Sequence, residues 1–214
     1  MGSPLYDEEK FEVGITAQSE SSYVAELRRP GGVISANAEV ALPEALPQEI
    51  EDSPPARRGD PVAGPDHVGP AASFASLTNL QRHGCQAFRY GWGGEHDMQT
   101  YLRDASQMPE LLQRNGGAYA NMSFILGCSN WILASNAYMN PWIHLETRSQ
   151  NFRPIPTGTA IVAEMKVADF YEKKGHEFVD VEVALFDEQN DACLSAIKLR
   201  AIYKLRGAQE PRGE

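Results

Sequence analysis

AYANMSFILGCSNWILASNAYMN, residues 118–140, holds no charged side chain and is apolar around most of a helical circumference. A helix apolar on every side is one enclosed by other elements, not one lying on a surface. Asn115-Gly116-Gly117 punctuates a turn before it and Pro141 ends it, so the pattern predicts one buried helix over 118–138. The uncharged run between Arg114 and His144 is also long enough to cross a bilayer. It carries five asparagines, however, among them Asn121, Asn130 and Asn136, together with Ser123, Ser129 and Ser135. Unpaired amides and hydroxyls cost several kcal/mol each in lipid, so the run reads as the buried helix of a soluble fold, with no membrane span.

Four strand-like runs follow: 142–152, 159–171, 176–186 and 193–205. In the third, Val179, Val181, Val183 and Leu185 alternate with Asp180 and Glu182; in the fourth, Ile197, Leu199, Ala201 and Tyr203 alternate with Lys198, Arg200 and Lys204. Lys173-Lys174-Gly175 and Asp187–Asp191 are hairpin-sized connections, which makes the strands antiparallel. One long buried helix followed by an antiparallel meander has a natural solution in which the sheet curls around the helix. The expected fold class is therefore α+β, the hotdog fold. A lone domain of this kind leaves a sheet edge open, so pairing with a second hotdog chain is expected, as a homodimer or heterodimer.

Upstream, residues 43–70 carry seven of the 14 prolines and no periodicity, and read as a linker or mobile loop. They separate an N-terminal piece, 1–42, from the hotdog domain, 71–206, which a short tail, 207–214, follows. SYVAELRRPGGVISANAEVALP (22–43) is two strand runs around Pro30-Gly31-Gly32 and echoes the C-terminal hairpin. Two readings stand for the piece: a remnant of a first, degenerate hotdog that lost its helix, or strands supplied to a single domain.

The whole chain of 214 residues has 19 Lys plus Arg against 29 Asp plus Glu, a net charge of −10. That balance disfavours non-specific binding to nucleic acid, which depends on cations neutralising phosphates. Three widely spaced cysteines, Cys85, Cys128 and Cys193, fit neither a disulfide framework nor a zinc site. The acidic N-terminus lacks the apolar core of a secretory signal, so a cytoplasmic location is expected.

The strings Asn130-Trp131, Pro141-Trp142-Ile143-His144, FRPIPTGT (152–159), YEKKGHEFVDVEVALF (171–186) and LRAIY (199–203) resemble the MaoC-like hotdog proteins, acyl dehydratases and enoyl-thioester hydratases. The resemblance covers about residues 85–205. It implies addition of water to, or its loss from, an acyl chain bound to CoA or a carrier protein. No other cofactor is implied, since CoA or phosphopantetheine enters as part of the substrate. In that family a G-D-x-N-P-x-H loop before the helix supplies an Asp/His pair, and backbone N–H groups at the helix N-terminus hold the thioester oxygen. Acid/base groups within hydrogen-bond reach of the reacting carbons are what this chemistry requires.

Here the corresponding loop is 101–111. With Pro109 matched to the family proline, Ser106 replaces the Asp and Leu111 the His. The nearest substitutes are Asp104, two positions out of register, and His96 in GGEHD (93–97); without a pair, the chain reads instead as a non-catalytic acyl-binding subunit of a heteromer whose partner holds the dyad. A second similarity, N-x6-C-x-N over Asn121, Cys128 and Asn130, then FRP (152–154), is to the type III acyl-CoA thioesterases, which use Asn and Tyr side chains. The candidate catalytic residues are accordingly Asp104, Tyr101, Asn121 and His96. Gly116, Gly117, Tyr119 and Asn130 are the candidate substrate contacts, around the positive end of the helix. Arg148, Arg153, Lys173, Lys174, Lys198, Arg200, Lys204 and Arg206 are the cations available to the phosphates of CoA or phosphopantetheine. His144, alternating with Ile143 and Leu145, is expected to face away from the helix.

Overall fold

The computed structural model describes residues 8–41, 53–94, 96–101, 113–114 and 117–207. The chain divides into two units, Met1–Ser53 and Pro54–Glu214. In the first, strands β1 (Glu12–Ser19), β2 (Ser22–Arg28) and β3 (Ile34–Ala41) form an antiparallel meander in that order. β1 adds one strand to the two expected. Val13, Leu27 and Ala36 lie in one cross-strand row and Ile15, Ala25 and Ala38 in the next, so the alternation gathers apolar residues on one face. The β2–β3 turn closes with Gly32 N–H donating to Arg29 C=O at 3.0 Å. Gly31 and Gly32 both take positive φ there, the left-handed region open to glycine.

The second unit contains, in chain order, α1 (Phe74–His83), β4 (Phe88–Trp92), the helical turn α2 (Met98–Tyr101), the short pair β5 (Gln113–Arg114) and β6 (Gly117–Ala118), α3 (Met122–Asn136), β7 (Ile143–Asn151), β8 (Thr159–Lys173), β9 (His176–Asp187) and β10 (Cys193–Lys204). Five strands make one antiparallel sheet in the order β4-β8-β9-β10-β7. Its inner face presents Ile161, Ala163, Met165, Val179, Val181, Val183, Ile197, Leu199 and Ala201, all buried in one core with Phe124, Cys128, Ile132 and Leu133 of α3. Burial of each large aliphatic side chain contributes about 1.5–3 kcal/mol. Both edge strands reach the same helix: Trp92 of β4 meets Phe124, and His144 of β7 hydrogen-bonds Asn130. A sheet whose opposite edges touch one helix is curled around it, which is the hotdog arrangement. No helix among the described residues is long and apolar enough to cross a membrane.

Three local expectations need correction. The helix expected over 118–138 runs from Met122 to Asn136. Residues before it stay extended because their backbone bonds go elsewhere: Ala118 C=O accepts from Trp92 Nε1 at 2.8 Å and Thr157 Oγ1 at 2.7 Å, and Ala120 N–H donates to Ile155 C=O at 2.8 Å.

The described part of the proline-rich stretch, from residue 53 onward, is fixed rather than a loose linker. Glu164, buried on the outer side of β8, accepts the backbone N–H groups of Arg58, Gly59 and Asp60 at 2.8, 2.8 and 3.0 Å. Val62 then bridges Ala87 in parallel, and Tyr138 N–H donates to Pro70 C=O at 2.8 Å. Residues 43–52 lie outside the described residues.

His144 faces the helix, not away from it. In the β7–β10 ladder Arg200 pairs with Glu146 but Ala201 pairs with His144, so Leu145 is an extra residue on β7. Such a bulge reverses the facing of the residues before it.

Candidate active site

The site builds from β4 and the side of α3 that carries Phe124 and Trp131. Phe88, Tyr90 and Trp92 pair with Ala163, Ile161 and Thr159 of β8, and alternation points all three rings inward. The chain then reverses through Gly93 and Gly94, at φ 118° and 69°, with Gly93 N–H donating to the His96 carbonyl at 2.8 Å. This turn lays the His96 imidazole nearly flat on Trp131, with centroids 4.7 Å apart and planes at 27°, and 5.6 Å from Phe124. Tyr90 approaches Trp131 at 5.6 Å, and Trp92 lies between Phe124 at 4.9 Å and Tyr101 at 6.2 Å.

Two polar atoms in this aromatic cluster, His96 Nδ1 and the Tyr90 hydroxyl, are buried without a hydrogen-bond partner. A buried polar atom left unpaired costs about 1–3 kcal/mol, and native folds keep few of them. Burial, and secondarily the neighbouring Cys128 thiol, push the Tyr90 phenol far above its ordinary value, so it stays an O–H donor. The same two causes raise Tyr101, and burial raises Cys128.

At the helix start, Asn121 is the N-cap: its Oδ1 accepts the Phe124 N–H at 2.8 Å. That oxygen closes the first turn of the helix. The N–H groups of Met122 and Ser123, the first two helical positions, have no intrahelical acceptor. Gly117 is in β6, paired with Arg114, instead of in a turn feeding the helix. Tyr119 bridges Pro156 and precedes the helix. Asn130 lies about two and a half turns further on with its Oδ1 engaged by His144 Nδ1 at 2.9 Å. His96, against Phe124 and Trp131, and Tyr101, against Trp92, therefore join one aromatic cluster, while Asn130 hydrogen-bonds His144. Asp104 and Gly116 lie outside the described residues.

Tyr90, Trp92 and Trp131 were not among the residues singled out from the sequence. For Tyr90 and Trp92 the signal was the alternation of FRYGW (88–92) followed by two glycines, which marks a strand ending in a tight turn.

The cations expected for phosphate are partly neutralised. A cleft on the outer face of the sheet is lined by Glu146, Arg148, Asp180, Lys198 and Arg200 among others. There Arg148 pairs with Glu146 at 2.9 Å, and Arg200 makes two bonds to Asp180 at 2.8 and 2.7 Å. Lys204 pairs with Glu177 at 3.4 Å.

No family model and no curated protein matches the chain. Among solved structures, it is similar to an (R)-hydratase from A. caviae involved in PHA biosynthesis, at 13% identity, over 55% of this chain and 94% of that one, with a TM-score of 0.44. The R-hydratase PhaJ1 from Pseudomonas aeruginosa aligns at 12% identity over 61% and 90%, with a TM-score of 0.44. The HadBC (3R-hydroxyacyl-ACP dehydratase) complex from Mycobacterium tuberculosis aligns at 13% identity over 55% and 95%, with a TM-score of 0.42.

Proposed function

We propose that this hotdog chain acts on acyl thioesters of CoA or a carrier protein, as a dehydratase or enoyl hydratase. The observation that carries the reading is the pair of unpaired buried polar atoms, His96 Nδ1 and Tyr90 Oη, on rings that both contact Trp131 of α3. In the proposed geometry the thioester oxygen meets the Met122 and Ser123 N–H groups, whose dipoles stabilise the enolate-like charge. The β carbon then falls near His96, which takes a proton from water as the water oxygen bonds to that carbon and passes the proton to the α carbon of the enolate; dehydration runs the same transfers in reverse. The Tyr90 hydroxyl holds that water or β-hydroxyl, and Trp92, Phe124 and Trp131 wall the acyl chain. Among the described residues β7 ends the sheet, which supports pairing with a second hotdog chain.

The test is steady-state hydration of crotonyl-CoA by the full chain. His96→Gln and Tyr90→Phe are each expected to lower kcat/KM by about 10²-fold, the scale of general acid/base groups. Wild-type rates in both variants, or no hydration by the wild type, overturn the reading.

A further inference from the structure

A second polar constellation stands at β7, which ends the sheet among the described residues. His144 Nδ1 meets Asn130 Oδ1 at 2.9 Å, and His144 Nε2 is hydrogen-bonded to Thr147 Oγ1. An amide oxygen can only accept, so with that oxygen facing the ring the proton sits on Nδ1, and Nε2 keeps a lone pair. The Thr147 hydroxyl must then donate to Nε2. The Trp142 ring stacks on the imidazole at 6.3 Å and 25°, fixing its plane. Partial burial lowers the His144 pKa from its ordinary value, which keeps the ring neutral and basic at pH 7.

Hydroxyl, imidazole and amide thus form the chain nucleophile, base and orienting group that activates hydroxyls in acyl transfer. The Leu145 bulge creates it, since an unbroken strand would place His144 and Thr147 on opposite faces. The constellation lies about 13 Å along α3 from its N-cap, and none of its three residues takes part in the hydration site described above. His144 is exposed and Thr147 half-buried, so the hydroxyl lies near solvent.

We propose that Asn130, His144 and Thr147 form a second, acyl-accepting centre for activated acyl esters, with Thr147 as nucleophile. In the step, Thr147 Oγ bonds to the acyl carbon and the bond from that carbon to the leaving alcohol or thiol breaks. The hydroxyl proton passes to His144 Nε2 and from there to the leaving group. Water, deprotonated by the same nitrogen, then attacks the Thr147 ester, its C–Oγ bond breaks, His144 returns the proton to Thr147 Oγ, and the acid leaves. Asn130 holds the imidazole in the required tautomer, as a positioning residue.

The experiment treats the full chain with a fluorophosphonate probe, which phosphonylates activated hydroxyls and expels fluoride, and in parallel with p-nitrophenyl butyrate. Adducts are located by peptide mass mapping. The expected result is a single adduct on Thr147, retained in Thr147→Ser, absent in Thr147→Val, and formed about 10²-fold more slowly in His144→Gln. Asn130→Ala is expected to move the pH profile of labelling as well as its rate, which loss of mere strand anchoring does not do. No adduct at Thr147, or one whose rate ignores His144→Gln, overturns the proposal. Should Thr147→Val fail to fold, the Thr147→Ser and His144→Gln rates decide it. Crotonyl-CoA hydration is unaffected by Thr147→Ser, so this centre and the hydration site fail or stand separately.

Discussion

The buried carboxylate of Glu164 receives the backbone N–H of Gly59 at 2.8 Å across more than a hundred residues of sequence. Arg58 and Asp60 donate to the same carboxylate, and the Arg57 guanidinium lies 3.7 Å from it. Three donors converging on one acceptor convert a proline-rich segment with no periodicity into a fixed strap on β8. Glu164→Ala leaves those donors unpaired at about 1–3 kcal/mol each, less whatever water re-enters. Loss of stability of about 3 kcal/mol is expected in denaturant unfolding. Trypsin should also cut faster after Arg57 and Arg58, and unchanged cleavage there would remove the strap from the account.

The same carboxylate shows where sequence reading stops. The helix and meander were legible because burial imposes a period, 3.6 on α3 and 2 on β9 and β10. Glu164 inside TAIVAEM gave no sign that three amides awaited it. The start of α3 was misplaced by four residues because the backbone of 118–121 is claimed by Trp92 and the 155–157 loop, partners far away in sequence. His144 was turned the wrong way by a single unpaired residue, Leu145, which alternation cannot reveal. In the site, His96 and Tyr101 could be named from a resemblance. Tyr90 and Trp131 become polar-edged neighbours only once β4 pairs with β8.

Acid should weaken the β7–α3 connection through His144. Its folded pKa lies below the unfolded value near 6.5 because partial burial disfavours the charged ring. The unfolded chain therefore binds more protons in the window below about 6.5, and the stability His144 contributes is lost as pH falls through its folded value. The imidazolium also loses the lone pair that accepts the Thr147 hydroxyl. Unfolding measured from pH 8 to 5 should show a shallower slope in His144→Gln than in the wild type. Equal slopes would assign the acid sensitivity elsewhere.

Trp92 joins β4 to the residues just before α3 by donating Nε1–H to Ala118 C=O at 2.8 Å. Trp92→Phe removes that donor and part of the ring from a site that is 1% exposed. Thr157 Oγ1 still donates to the same carbonyl, so no acceptor is orphaned. A loss of about 1–2 kcal/mol in denaturant unfolding is expected, from a lost bond plus a small cavity. Crotonyl-CoA KM should rise more than kcat falls, since the ring is proposed to wall the acyl chain and does not move protons.

The three thiols provide the last check, because Cys128 sits in the middle of the site helix. Cys85, Cys128 and Cys193 are all buried, at 3%, 0% and 7% exposure. Burial pushes Cys85 and Cys193 up to about 11, and Cys128 further still. Alkylation needs the thiolate, whose fraction at pH 7.5 is then below about one in a thousand. Iodoacetamide at pH 7.5 should leave all three unmodified in the native chain and modify all three in denaturant. Hydration of crotonyl-CoA should survive that treatment. Its loss together with modification of Cys128 in the native state would make the thiol accessible and transfer the chemistry from His96 to the sulfur.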